Sequence, residues 1–300
     1  MEDKNLDKLK REYMNTPIPK ELDFYVKKAL KESGVSILQR KNKFRITGIA
    51  AASIIAAVTI LTVGINTNQA FAKTLSEVPI VGSIVKVLTF KEYTINDGTF
   101  NANIKIPAID GLENKKLESS LNEKYLAENK MLYDRFVADM KDLKEKDGGH
   151  LGVNSGYVIK TDTDRILSVG RYVVNTVGSS STTFKFDTID RKKEVLITLP
   201  SLFKDDSFIG VLSENIKEQM REQHKSDNNK IYWVEGIPLQ ANIGLFEKIS
   251  MNQNFYINAA DKLVISFNKY EVAPGYMGVV EFVIPTEAIS DILAGNEYIK

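Results

Sequence analysis

The chain has no cysteine, and among its 300 residues there are only two histidines and one tryptophan. Without cysteine there is no disulfide framework, no thiol nucleophile and no thiolate-ligated zinc or iron–sulfur centre. His150 and His224 stand 74 positions apart. A site built on several imidazoles is therefore excluded, and histidine acid–base chemistry is disfavoured. Charge is also missing from one long stretch, Ile46 to Ile65. What is present is otherwise ordinary. With 43% hydrophobic and 26% charged residues the chain is globular material, neither disordered nor collagen-like. Its length leaves room for one to three domains.

The uncharged stretch reads ITGIAAASIIAAVTILTVGI, 20 residues. A helix of that length rises about 30 Å, the thickness of a bilayer core. A charge near its centre would cost roughly 2.5–3.5 kcal/mol. Arg40, Lys41, Lys43 and Arg45 precede it, and the first cation beyond it is Lys73. The positive-inside rule then predicts a cytoplasmic N-terminus and an external segment 66–300. A buried core helix is usually shorter and amphipathic. A secretory signal peptide is the nearer rival, because Ala70-Phe71-Ala72 before Lys73 has the small-x-small pattern of a signal peptidase site. Forty-five residues of structured character before the span argue against a plain signal peptide. The expectation is a single-pass protein with a latent cleavage site. Charge divides the same way. Residues 1–45 hold twelve Lys/Arg against seven Asp/Glu, a net +5, so with +1 overall the segment 66–300 carries −4.

The first forty residues read as two short amphipathic helices. Leu6, Leu9 and Tyr13 recur at spacings of three and four, and Thr16-Pro17-Ile18-Pro19 interrupts them. Leu22, Val26, Ala29 and Leu30 then share one face of Glu21–Ser33, which Gly34 ends. Helices this short do not fold alone. They cover their apolar stripes either on a membrane surface or against a cytoplasmic protein. Mixed signs on the polar faces favour the protein.

The external part predicts an α+β fold, an antiparallel sheet with helices packed on it in two αβ halves. A strand region begins with Tyr93–Ile106. Leu117, Leu121, Tyr125, Leu132, Phe136, Met140 and Leu143 mark a long helix over 112–146, and Gly148-Gly149 ends it. Strands follow at Val153–Thr161, Arg165–Val177 and Thr182–Ile189, with Gly178–Ser181 as the turn between the last two. Val195–Leu199 is a short strand, and Phe208, Leu212, Ile216 and Met220 mark a helix over Asp205–Gln223. Phe255–Ile257 and Leu263–Phe267 form a hairpin around Ala259-Ala260-Asp261. Tyr270–Ala273 and Met277–Ile284 read as strands about Pro274-Gly275, and Thr286–Leu293 as a final helix. The carboxylates are scattered, no G-x-S-x-G elbow surrounds Ser179–Ser181, and no phosphate-binding glycine loop is present. The expectation is a protein that is not an enzyme, with no catalytic, metal or cofactor site and no nucleic-acid partner. The Ser-rich and Pro-Gly-Tyr turns suit recognition, and equally they are ordinary hairpin chemistry.

Several runs carry a family resemblance. They are Gly148-Gly149-His150-Leu151-Gly152-Val153, Ser168-Val169-Gly170-Arg171-Tyr172 through Val177-Gly178-Ser179-Ser180-Ser181-Thr182-Thr183, Leu199-Pro200-Ser201-Leu202-Phe203, and Tyr270-Glu271-Val272-Ala273-Pro274-Gly275-Tyr276-Met277-Gly278. Over nearly its whole length the chain resembles the lysozyme-responsive membrane anti-sigma factors of the sigma V, extracytoplasmic-function system. The resemblance implies that residues 1–40 hold a sigma factor, with Leu6, Leu9, Tyr13, Leu22, Val26 and Leu30 at the contact. It implies lysozyme binding at Gly178, Ser179, Ser180, Ser181 and Thr182 and at Ala273, Pro274, Gly275, Tyr276 and Met277. It further implies signal peptidase cleavage after Ala72, at Ala70–Lys73, and then site-2 proteolysis within the span. The expected organisation is a cytoplasmic segment 1–40, a transmembrane helix 46–65, a juxtamembrane segment 66–92 and a sensor domain 93–300 with halves near 93–190 and 191–300. The alternative from a different class is a membrane-anchored cell-wall binding or polysaccharide-modifying accessory protein.

Overall fold

Hydrophobic alternation along the chain after Val85 builds a long-stranded sheet. The computed structural model describes residues 85–146, 148–238 and 243–300, all within one unit, Leu61–Lys300. The expected cytoplasmic helices, the apolar span and the cleavage site lie outside the described residues. Among the described residues no helix is long and apolar enough to cross a membrane.

Strands β1 (Lys86–Asp97) and β2 (Phe100–Asp110) form an antiparallel hairpin about Gly98-Thr99. The first strand thus starts inside the stretch expected to be juxtamembrane. Phe100, Ala102, Ile104 and Ile106 are buried while Asn101 and Lys105 are exposed, the period of two that defines a half-buried strand. Helix α1 (Lys115–Glu145) follows, and its N-cap Asn114 accepts a hydrogen bond from the Leu117 amide. At 31 residues it is about 46 Å long. Its buried face, Leu121, Tyr125, Phe136 and Leu143, is the stripe expected from the sequence.

Strands β3 (Leu151–Asp162), β4 (Ile166–Val177), β5 (Ser179–Asp190) and β6 (Val195–Ile197) complete a six-stranded sheet in the order β1-β2-β3-β4-β5-β6. The expectation of a purely antiparallel sheet is corrected here. β2 and β3 pair in parallel, Phe100 with Leu151 to Ile104 with Ser155. The intervening α1 carries the chain back along the sheet, so β3 starts at the end where β2 started. Leu121 and Tyr125 of α1 pack on Ile106, Ile109, Leu167, Val169 and Ile189.

The C-terminal third carries a second core. Helix α2 (Phe208–Ser226) buries Phe208, Leu212, Ile216 and Met220 against the three-stranded antiparallel sheet of β7 (Phe255–Ile257), β8 (Leu263–Phe267) and β9 (Val280–Val283). Ile166 and Ile197 of the large sheet join this core, so the halves meet through apolar contact.

Three further expectations change. Ser179–Ser181 are strand residues, not turn residues. Val177 pairs with Ser179, and Gly178 alone turns the chain at φ 75°, a left-handed conformation that glycine adopts without a Cβ clash. Tyr270–Ala273 is not a strand. Tyr270 has φ 70°, outside the extended range, and Glu271 N–H closes a turn onto the Asn268 carbonyl at 3.0 Å. Thr286–Leu293 is two single 3-10 turns, Thr286–Ala288 and Ser290–Ile292. The backbone here bonds another segment, Lys204 N–H to the Ile292 carbonyl and Ala294 N–H to the Leu202 carbonyl, instead of closing an α-helix.

Candidate functional site

The β4–β5 hairpin and the turn after β8 meet along the outer edge of β5. β6 covers β5 only at Thr188–Asp190, which leaves the backbone of Thr182 and Phe184 to other partners. Asn268 Oδ1 accepts the Phe184 N–H at 2.7 Å, and Asn254 Nδ2 donates to the Phe184 carbonyl at 2.9 Å. Lys269 N–H donates to the Thr182 carbonyl at 3.1 Å, and its ammonium donates to Ser180 Oγ at 3.0 Å. The three bonds of Asn268 and Lys269 fix the 268–278 turn beside the Ser-rich end of the hairpin, and Asn254, just before β7, adds a fourth to the same edge. Two segments separated by about ninety residues thereby become one surface.

The turn itself is tightly determined. The Glu271 carboxylate accepts from Asn268 N–H at 2.7 Å and from Gln253 Nε2 at 3.0 Å. Val272 and Ala273 are buried, and the Val272 carbonyl accepts from Trp233 N–H at 2.8 Å. Tyr270 is 45% exposed and holds its left-handed conformation because both flanks are anchored. Its ring lies against Gly275, where a Cβ would come within 2.3 Å of ring carbons. Only glycine leaves room for that ring. Tyr276 is 66% exposed, and its hydroxyl donates to the Asn229 carbonyl at 2.7 Å, which orients the ring without burying it. The Lys269 ammonium sits 5.1 Å from the Tyr270 ring centroid.

The sequence-derived residues divide accordingly. Gly178 and Ser179 are exposed, and Ser180, Ser181 and Thr182 are half-buried. Tyr276 is the most exposed large side chain of the second group, while Pro274 and Gly275 are half-buried beside it. Met277 packs on the C-terminal core, and Ala273, 1% exposed, is core rather than surface. Sequence reasoning missed Asn268, Lys269, Tyr270 and Asn229. The Asn268-x-x-Glu271 spacing was a legible turn signal, since Asn and a following carboxylate bond nearby backbone amides. Leu6, Leu9, Tyr13, Leu22, Val26 and Leu30, and Ala70, Ala72 and Lys73, lie outside the described residues.

Chemically this surface offers two oriented tyrosines, serine and threonine hydroxyls and one ammonium. Rigid aromatic groups surrounded by adaptable polar ones are the chemistry that protein-recognition surfaces use. The set includes no nucleophile–base pair. His150 is exposed, and His224 bonds the Lys230 carbonyl through Nδ1 at 2.8 Å. Among the described residues no group of three or more His, Asp or Glu stands ready for a metal ion.

Charge supports the hairpin from beneath. Arg171, 7% exposed, reaches Asp187 through Nε at 3.1 Å and also pairs with Glu128 of α1. Lys124 approaches Asp187 at 2.8 Å, and Lys185 approaches Glu128 at 3.1 Å. Burial alone would raise both carboxyls. Arg171 and Lys124 outweigh it at Asp187, and Arg171 and Lys185 at Glu128, so both stay ionised below their ordinary range. Burial and the neighbouring Asp187 push the Tyr125 hydroxyl far up, so it stays neutral. The network ties α1 to the middle of β4 and β5, the strands that carry the hairpin.

Known families place these features. The family model described as a protein of unknown function, DUF3298, matches residues 200–287, which contain α2, β7–β9 and the Tyr270–Met277 turn. A domain of unknown function, DUF4179, matches residues 39–134. The anti-sigma-V factor RsiV of Bacillus subtilis (strain 168) is 45% identical over 298 residues, 99% of this chain and 100% of that protein. The chain belongs to the anti-sigma-V factor family. A crystal structure of a DUF3298 family member from Bacteroides fragilis NCTC 9343 covers 71% of this anti-sigma-V family chain and 95% of its own, at 17% identity and TM-score 0.50. At that identity the likeness concerns the α+β fold alone. A DUF3298 family protein from Pseudomonas aeruginosa PAO1 covers 73% and 98% at 12% identity, TM-score 0.48.

Proposed function

We propose that the chain is a single-pass membrane anti-sigma factor whose external domain is a receptor for lysozyme. The observation that carries the anti-sigma part is the end-to-end identity of 45% with the anti-sigma-V factor of Bacillus subtilis. In this reading residues 1–40 hold an extracytoplasmic-function sigma factor through Leu6, Leu9, Tyr13, Leu22, Val26 and Leu30. Residues 46–65 span the cell membrane, and residues 66–300 lie outside. Lysozyme binds the surface formed by the β4–β5 hairpin and the 268–278 turn. Signal peptidase then cuts after Ala72, a site-2 protease cuts within the span, and the sigma factor is released.

The surface supports the lysozyme step by its chemistry. Tyr270 and Tyr276 are exposed but held by fixed contacts, so little conformational entropy is lost when a partner covers them. The external −4 complements the cationic character usual for lysozymes and would favour encounter. The chain acts as a regulator and not as an enzyme. The test is to add lysozyme to cells carrying the protein and blot for the external fragment. A fragment that appears only with lysozyme supports the reading. An intact chain at saturating lysozyme, with purified external domain that fails to bind lysozyme, overturns the receptor assignment.

A further inference from the structure

The large sheet has one face covered by α1; on the other, the C-terminal core buries the end around Ile166, Ser168 and Thr188 and leaves the half toward Gly178 open. Along that open half the register aligns two rows of side chains. The first runs Asn96, Asn101, Gly152, Thr176 and Ser180, and the second Thr94, Asn103, Asn154, Val174 and Thr182. Neither row contains a charge. Where they cross β1–β4 the surface dips into a concavity of about 330 Å³. Gly152 sits at its floor, where a Cβ would press on Thr176 at 3.2 Å. The Asn101 amide donates weakly to the Gly98 carbonyl at 3.4 Å, and the Asn154 amide has no hydrogen-bond partner among the described residues.

Next to these rows lies a line of rings. Tyr172 to Phe184, Phe184 to Phe186 and Phe186 to Tyr256 have centroid separations of 5.9, 5.5 and 5.3 Å. Tyr172 lies over Gly156 and Phe186 over Gly170, each within 2.7 Å of where a Cβ would stand. The buried Tyr256 ring and the Lys160 ammonium, 6.0 Å from the Phe186 centroid, close one end of this line. Tyr172, Phe184 and Phe186 remain half-exposed. Charges touch the rows at their ends, where the Lys269 ammonium donates to Ser180 Oγ and the Asn103 amide donates to the Glu92 carboxylate, and they flank the rings, where Lys160 pairs with Glu281 at 2.7 Å.

An amide- and hydroxyl-rich dish with no charged side chain in its two rows, beside a line of half-buried rings, matches one ligand chemistry well. Sugar rings present an apolar C–H face that packs on aromatic rings, and their hydroxyl and acetamido groups exchange hydrogen bonds with asparagine amides. A nucleic acid would need cations that the rows lack. A second protein copy would need an apolar centre, and this dish is mostly Asn, Thr and Gly. We propose that the open half of this sheet face binds an uncharged, N-acetylated glycan strand, lying across the Asn101–Asn154 dish and along the Tyr172–Phe186 rings. The inference does not depend on lysozyme being the partner of the hairpin surface.

The test uses the full chain in a zwitterionic detergent, since alkyl glycosides would compete. The β-1,4-linked hexamer of N-acetylglucosamine is titrated by calorimetry, with cellohexaose as the non-acetylated arm. Saturable binding of the N-acetylated hexamer, weaker or absent for cellohexaose, is expected. Asn154→Arg and the double variant Asn101→Ala/Asn154→Ala should each lower affinity about tenfold or more, the effect of losing one or two amide hydrogen bonds. Both positions are exposed, and circular dichroism on heating checks that the fold survives. No binding by the unmodified chain overturns the proposal, as does equal binding of the two hexamers or unchanged affinity in both folded variants. Sugar-independent self-association that Asn154→Arg abolishes would assign the face to a second copy instead.

Discussion

Replacing Arg171 with methionine tests how the hairpin is supported. Arg171 is almost fully buried, and it neutralises Asp187, whose side chain is 3% exposed, and Glu128, at 31%. Its guanidinium also lies 4.4 Å from the Tyr125 ring centroid. Breaking a buried pair on one side typically costs about 3–5 kcal/mol, because the remaining charge is left in a poor solvent. Lys124 stays within 2.8 Å of Asp187 and compensates in part, so the low end, about 3 kcal/mol, is expected. Lys185→Ala is the contrast. Its ammonium is 66% exposed, and its pair with Glu128 should contribute below about 1 kcal/mol. Urea unfolding of the purified external domain at pH 7 measures both. The pH dependence separates charge from packing. The folded Asp187 and Glu128 carboxyls lie below their ordinary range, so the stability they contribute is present above about pH 4 and is lost as pH falls through the lower folded values. Wild type should therefore lose more stability on acidification than Arg171→Met, and the gap between them should close. A gap equal at pH 7 and well below pH 4 would refute the electrostatic account and leave only lost packing.

Tyr276→Ala should weaken lysozyme binding to the external domain by roughly 2 kcal/mol or more if the ring is a central anchor, and Ser180→Trp should obstruct the same surface. Calorimetry that finds wild-type affinity in both folded variants removes this corner from the interface. Leu9→Asp or Val26→Asp should place a charge in a desolvated contact at a cost of several kcal/mol and switch on a sigma-dependent reporter without lysozyme. A silent reporter beside an intact, abundant variant would misplace that contact. Ala72→Trp should block cleavage by overfilling a small-residue pocket while lysozyme binding persists. A flexible ten-residue Gly/Ser insertion between Lys73 and Glu77 should give cutting without lysozyme, and a variant that still waits for lysozyme rules out occlusion by proximity.

Local periodicity made the helices legible. Leu117, Leu121, Tyr125 and Phe136 in α1, and Phe208, Leu212, Ile216 and Met220 in α2, announce their buried faces by spacing alone. The β7–β8 hairpin was equally readable, because Asn258 and Asp261 supply turn chemistry between two apolar runs. Non-local pairing was not. The parallel contact of β2 with β3 depends on where α1 returns the chain, which the alternation within either strand does not specify. The Ile289 and Leu293 spacing imitated a helix because a single turn and an α-helix share their first four residues. Bonds to Leu202 and Lys204 decide between them. The candidate site was half legible. Its exposed serines and Tyr276 were visible as turn residues, but Lys269 and Tyr270 enter only because the edge of β5 lacks a neighbouring strand at Thr182 and Phe184.

The position of this site constrains how it could govern cleavage. β4 and β5 each have twelve residues, so at about 3.4 Å per residue they extend about 40 Å from Gly178 to the far end of the sheet. That far end is where the chain enters. Val85 precedes β1 there, and its carbonyl accepts from Arg191 Nη2 at 3.4 Å, while Arg191 Nη1 donates to the Thr163 carbonyl at 2.9 Å. Arg191 thus joins the incoming chain to the β3–β4 turn and to the end of β5. Ala72 lies 13 residues before Val85, a reach of at most about 47 Å even when fully extended. The proposed cleavage position can therefore lie near the hairpin tip itself only with that segment nearly straight, although a protein partner seated there extends the range of direct contact by its own size. Otherwise its effect must pass along β4 and β5, whose registers are continuous over all twelve pairs and braced by Arg171 at their middle. If a sheet so braced moves as a body, a change at the tip would reach the Arg191 contact as a shift of the whole hairpin.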